Sequence, residues 1–288
     1  YLLLSAPEAK HQWSQLTPGL EAAGVVVEPI PYQPQQSLVP EPPPPIPPDS
    51  LPPLLLAAVG SGLSELPVTA LNTYARCPRR FQYEILDGHP GLGPEPGEGE
   101  GVTETSRALA LGNLTHEILA ADLSTLAQAE ALARQRAALD CAAQAWDLAQ
   151  TFRQEPQFAP FRGEGVAREQ WLSLVVAGVT LIGQADRVGP DWVLDYKTDR
   201  TPDPQAYRWQ LWAYARALEV STAHLAYLRP PAQLYTFTSA DLAAMTPAVE
   251  ALVRSLRQGP YPPQPGPTQC RSCPYLTLCE AGQAAIST

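Results

Sequence analysis

Residues 179–200, VTLIGQADRVGPDWVLDYKTDR, constrain this chain more than any other stretch. Two apolar strand patterns meet at Gly189-Pro190-Asp191, a run that favours a tight turn. A turn centred on Pro190 and Asp191 sets Gly189 against Trp192, and the same register sets Asp186 directly against Asp195. Cross-strand neighbours carry Cβ atoms roughly 4.5–5.5 Å apart, and like charges there are destabilising. Side chains alternate along a strand, so Val193, Asp195 and Lys197 share one face while Trp192, Leu194 and Tyr196 share the other. The second set is apolar and is expected to pack on the core. One face therefore gathers two carboxylates and an ammonium. A hard divalent cation is the natural relief for such a carboxylate pair. Lys197, about 7 Å along the strand from Asp195, can orient an attacking water or stabilise charge developing on phosphate.

Around this hairpin the pattern is that of an α/β domain with a central mixed sheet. A helix is expected from Val68, with Thr69 as its cap and Leu71, Tyr74, Phe81 and Ile85 at helical intervals. Further helices are expected over 106–121 and 124–154, strands over 168–177, 179–188 and 192–197, and a helix over 204–219. Strands over 222–229 and 233–238 and a helix over 240–257 complete the order. The globular part begins near Leu66, after a proline-rich linker spanning 39–65 whose PEPPPPIPPDSLPP run suits a polyproline spacer. Residues 87–105 read as a mobile Gly/Pro/Glu loop.

The formal net charge of −10 argues against a chain that holds nucleic acid by bulk electrostatics. It is compatible with an acidic, cation-holding site, and leaves any anion grip to local basic spots such as Arg76, Arg79 and Arg80. No apolar run is long enough to span a bilayer and no secretory leader opens the chain, so a soluble, cytoplasmic protein is expected. Opening on Tyr1, the chain reads as an excised piece of a longer protein. No G-x-x-x-x-G-K phosphate loop is present, so nucleotide hydrolysis is not expected.

Five cysteines make a poor disulfide framework. Three of them, Cys270, Cys273 and Cys279, read C-x2-C-x5-C, and Cys77 lies about 190 residues upstream. Four thiolates can ligate a 4Fe–4S cluster or a structural zinc, and spacing alone leaves both open. Cys141, in an Ala-rich helical stretch, reads as a buried apolar residue.

Taken in order, G-x-x-x-H (Gly112 to His116), G-x-x-D-R-V (Gly183 to Val188), D-Y-K-T (Asp195 to Thr198) and Q-x-x-x-Y (Gln210 to Tyr214) resemble the RecB-like branch of the PD-(D/E)XK nuclease superfamily. The resemblance covers 66–288 and implies a restriction-endonuclease-like core. It implies Mg²⁺ or Mn²⁺ held by His116, Asp186, Asp195 and the carbonyl of Tyr196, with Lys197 as the catalytic lysine. Gln210 and Tyr214, one helical turn apart, would position substrate, and Glu169 matches an acid often found on the preceding strand. One cysteine before the core and three after it resemble the iron–sulfur members, the AddB-type subunits of helicase–nuclease complexes and a CRISPR-associated relative. That implies a 4Fe–4S cluster on Cys77, Cys270, Cys273 and Cys279, closing the domain by tying its two ends. Residues 1–38 resemble the end of a helicase-type domain. The expected activity is hydrolysis of DNA, from single-stranded ends, in a helicase–nuclease of DNA repair and recombination. The CRISPR-associated nuclease and a non-cleaving DNA-binding scaffold stand as alternatives.

Overall fold

The computed structural model describes residues 63–91 and 104–287, all within the compact unit Leu56–Thr288. The expectations for 1–38, for nearly all of the proline-rich linker and for most of the 87–105 loop fall outside the described residues. Six strands are present among them: β1 (Glu65–Pro67), β2 (Ala167–Val176), β3 (Val179–Val188), β4 (Trp192–Lys197), β5 (Thr222–Tyr227) and β6 (Gln233–Phe237). The helices are α1 (Thr69–Arg76), α2 (Pro78–Phe81), α3 (Glu104–Ala120), α4 (Leu126–Gln135), α5 (Ala142–Gln154), α6 (Pro204–Leu218), α7 (Ser239–Gln258), α8 (Pro267–Arg271) and α9 (Glu280–Ile286).

β3 organises the sheet. β2 runs antiparallel along one whole edge, from Val176 beside Val179 to Ala167 beside Val188. Their connection, Ala177 and Gly178, has φ of 47° and 80°, the backbone twist that joins antiparallel strands in two residues. The other edge of β3 is shared. β1 lies parallel to Thr180, Leu181 and Ile182, whereas β4 pairs antiparallel with Arg187 and Val188. Between these two partners, residues 183–186 of β3 have no ladder partner on that edge, and β3 and β4 fork. β5 then adds parallel to β4 and β6 antiparallel to β5, giving the mixed sheet expected.

Both faces of the sheet are covered, and the alternation of side chains shows how. Val193, Ala223, Leu225 and Tyr227 join one buried cluster with α1, α6 and α7. Leu194, Tyr196, Ala226 and Leu228 join a second with α3, α4 and α5. A fully buried Leu or Phe in such a core contributes roughly 1.5–3 kcal/mol, so residues such as Leu71, Phe81, Leu181 and Leu194 hold the layers together. The expectation that only the Trp192, Leu194 and Tyr196 face packs on the core needs correction. Helices lie on both sides, and Asp195 is itself 3% exposed.

Three local expectations change with the structure. The helix from Val68 stops at Cys77, whose φ of −164° and ψ of 112° are extended, because a residue before proline is pushed out of the helical region. Thr69 is not its cap; Val68 holds that position with no side-chain hydrogen bond. The single helix over 124–154 is two, parted by a 3₁₀ turn at Leu139–Cys141 and a left-handed Ala137 at φ 52°. Neither glycine nor proline marks that break. β1, three residues long, carries no readable periodicity and was not anticipated.

Candidate active site

The β3–β4 fork places the hairpin residues as the register required. Gly189 N–H donates to the Trp192 carbonyl at 2.9 Å, and Arg187 stands opposite Leu194; the ladder ends there, one step before Asp186 and Asp195. Gly189 is required there, since a Cβ would lie 2.2 Å from the Trp192 ring. Past that point the strands separate and the carboxylates fill the gap. Asp186 Oδ2 accepts the Tyr196 backbone N–H at 2.6 Å, and its Oδ1 lies 2.9 Å from His116 Nδ1. Asp195 Oδ1 accepts from Gln210 Nε2 at 3.0 Å, and Gln210 also donates to the Tyr214 hydroxyl at 2.8 Å. Lys197 Nζ lies 2.6 Å from Asp195 Oδ2, yet that buried oxygen has no hydrogen bond. The contact is a close, buried ion pair.

Each motif thus has a physical reason. Gly183 lets α6 close on the sheet, because a Cβ there would meet Val68 at 2.7 Å and the Tyr214 ring at 3.0 Å. Gly112 faces the segment after β4, where a Cβ would lie in ordinary contact, 3.4 Å from Thr198 Oγ1. His116 comes from one helical layer and Gln210 and Tyr214 from the other, and they meet at the fork. Glu169 lies opposite Asp186 on β2, where the ladder skips a pair and φ reaches +50°. A bulky residue in that region is strained, and such strain collects at functional positions.

The electrostatics are those of crowded acids. Burial pushes the Asp195 carboxyl up, Lys197 opposes this, and Asp186 adds to it. Burial and then Asp186 raise Glu169. Burial pulls the His116 imidazolium down, but the Asp186 carboxylate outweighs it and brings the group to about 9. His116 and Lys197 each lie against one of the two acids. The donors are hard oxygens plus one imidazole, which suits Mg²⁺ or Mn²⁺. Among the described residues no three His, Cys, Asp or Glu side chains are drawn together as tightly as bound-metal ligands.

Several participants were not anticipated. Tyr207 seats the Lys197 ammonium 4.1 Å from its ring centre and donates its hydroxyl to Asp199 at 2.6 Å. Asn72 Nδ2 donates to Gln210 Oε1 at 3.3 Å. Arg187, 5% exposed, donates to the Tyr196 hydroxyl and lies over the Phe152 ring at 4.9 Å. The spacing of Tyr207 and Gln210, three residues apart on α6, was a signal that could have found the first. His224 is buried against Thr236 and driven down to about 4 by burial. Cys141 is buried as expected.

At the other end of the domain, Cys77, Cys270, Cys273 and Cys279 line one small cavity of about 30 Å³. Backbone N–H groups of Gln264 and Gly266 donate to the sulfurs of Cys77 at 3.4 Å and Cys270 at 3.3 Å. The tail is tied to the α1–α2 region elsewhere too: Tyr83 donates to the Leu278 carbonyl at 3.1 Å and Tyr275 to that of His89 at 3.0 Å.

No helix among the described residues is long and apolar enough to cross a membrane. A search of curated proteins gives no match. Among solved structures, that of SSO0001 is 16% identical with a TM-score of 0.42, covering 76% of this chain and 87% of its own. A candidate exonuclease from Eubacterium rectale is 15% identical with a TM-score of 0.47, covering 78% of this chain and 88% of its own. A sequence profile describing the PD-(D/E)XK nuclease superfamily matches residues 65–280. That match spans three quarters of the sequence and includes the whole fork, and the chain belongs to the PD-(D/E)XK nuclease superfamily.

Proposed function

We propose that this chain is a Mg²⁺- or Mn²⁺-dependent deoxyribonuclease, an exonuclease on single-stranded ends, serving a helicase–nuclease in DNA repair and recombination. The observation that carries the reading is the fork itself: two acids on facing strands, with a lysine 2.6 Å from one of them. His116, Asp186, Asp195 and the Tyr196 carbonyl would hold the cation, with Glu169 beside them. When bound, it would lower the pKa of a coordinated water and offset phosphate charge. Lys197 stands where it can orient the attacking water and stabilise charge developing on the phosphoryl oxygens. Gln210 fixes the Asp195 carboxylate, Tyr214 fixes Gln210, and Asp186 is oriented by the Tyr196 N–H. Both carboxylates are therefore aimed before any ligand arrives. The complete acid–acid–lysine set disfavours a scaffold that binds without cutting.

The cysteine-lined cavity supports a 4Fe–4S cluster held by Cys77, Cys270, Cys273 and Cys279. The backbone N–H donors aimed at two of the sulfurs suit thiolate ligands of the kind an iron–sulfur cluster uses. Oxygen-free purification is expected to give a brown protein with broad visible absorption. A colourless protein with stoichiometric zinc would reject the cluster. For the nuclease, a labelled single strand is expected to shorten only with Mg²⁺ or Mn²⁺, and a folded Lys197→Ala variant is expected to leave it intact. Undiminished cleavage by that variant would reject the assignment.

A further inference from the structure

Two depressions flank the fork, and their chemistry differs. One is walled by α3 and the segment after β4 and presents Glu117 and Asp199, with no lysine or arginine in its lining. The other lies between α1, the start of α6 and α8, and occupies about 1170 Å³ with part of it open to solvent. Arg76, Arg80 and Arg208 line it together with the rings of Tyr207 and Trp209. Asp203 contributes the one carboxylate of that lining. Arg80 is paired with Glu84 at 2.9 Å, so in a chain of net charge −10 Arg76 and Arg208 against Asp203 leave the trough locally cationic. The Arg208 guanidinium sits 4.2 Å over the Trp209 ring, which puts a charge for a phosphate beside a flat surface for a base.

The trough also connects to the reacting groups. Asn72 in its wall donates to Gln210, which donates to Asp195. Tyr207 in the same wall carries Lys197 on its ring. The wall of the trough is therefore in direct contact with the residues that hold Asp195 and Lys197. We propose, resting on the nuclease reading, that this trough is the path by which single-stranded nucleic acid reaches the fork, with Arg76 and Arg208 on phosphates and Trp209 as a stacking surface. Alternating cations and aromatic rings are what unpaired strands use, because every base offers a flat face once unstacked. A duplex buries those faces and would engage the cations alone.

The test is binding of a fluorescent 20-nucleotide oligothymidine, followed by anisotropy in EDTA over a range of salt concentrations. Each phosphate contact on a single strand contributes about 0.7 to the slope of log affinity against log salt. Arg76→Ala and Arg208→Ala are each expected to make that slope shallower by about 0.7, and the double variant by about 1.4. Arg254→Ala, an exposed arginine on α7 paired with Glu250, is expected to leave it unchanged. Wild-type slopes in the trough variants, with the strand still bound and still cut in Mg²⁺, would overturn the path and leave the nuclease standing. Weakened binding of a duplex probe with none for the oligothymidine would overturn the single-strand assignment. Failure of the wild-type chain to cut any nucleic acid in Mg²⁺ would sink the nuclease reading and the path with it.

Discussion

The fork and the cysteine-lined end are built in opposite ways. The fork sits on β3 and β4, central strands buried by helices on both faces, and each acid there is aimed by a bond to another element: His116 from α3, Gln210 from α6, the Tyr196 N–H from β4 itself. The cysteine end is assembled from short pieces, α2, α8, a 3₁₀ turn at Leu276–Leu278 and α9, that arrive from opposite ends of the domain. Few of its residues are buried, Cys270 and Tyr275 among them. The fork is preorganised by the fold, whereas on the proposed reading the cysteine end is fastened by a bound group in addition to the Tyr83 and Tyr275 hydrogen bonds. Chemistry and stability should therefore fail separately.

The largest separation is expected from Asp195→Ala. It removes the carboxylate that Lys197 and Gln210 both meet, and metal-dependent cleavage should fall to background while visible absorption of the cluster stays at the wild-type level. Loss of both signals together would show that the two regions are one unit. Next, Cys273→Ser should bleach the cluster. Releasing a closed loop of this length forfeits roughly 4–5 kcal/mol, and Tm, followed by circular dichroism, should drop by roughly 10 °C. An unchanged Tm would mean that the tail is held by its protein contacts alone.

His116 sharpens the comparison through pH. Because its folded value is about 9, raised above the ordinary 6.5, its ion pair with Asp186 stabilises the metal-free fold fully below about pH 6.5. That contribution is lost as pH climbs through 9. Metal binding needs the neutral ring, so the proton competes with the cation. The Mg²⁺ concentration for half-maximal cleavage should fall as pH rises from 7 towards 9. His116→Ala should flatten that dependence and raise the requirement by about tenfold or more. The smallest effect concerns the lysine seat. An ammonium on an aromatic face gains about 0.5–2 kcal/mol, so Tyr207→Leu should lower kcat by about three- to thirtyfold with KM little changed. Tyr207→Phe keeps the ring and should retain most of the rate.

The same contrast explains what the sequence could say. The β3 and β4 bounds and the register between them were legible because a tight turn propagates its pairing by simple alternation. The break at Cys77 was carried by Pro78 but was outweighed by the apolar spacing on either side of it. The division of 124–154 had no glycine or proline to mark it. Tyr207, Asn72 and Arg187 escaped because their roles depend on which layer each helix covers, a fact that no local pattern states. For the cysteines, spacing grouped Cys270, Cys273 and Cys279 and the resemblance added Cys77, but neither gave geometry; only the folded chain brings Cys77 to the same cavity as the tail.

The most direct test is a crystal of this protein soaked in Mn²⁺ and examined by anomalous scattering. A peak is expected within bonding distance of Asp186 and Asp195, with His116 and the Tyr196 carbonyl turned to it and Lys197 alongside. An ordered fork that stays empty at saturating Mn²⁺, or a peak lodged elsewhere while strand cleavage persists, would contradict the two acids as the cation's holders.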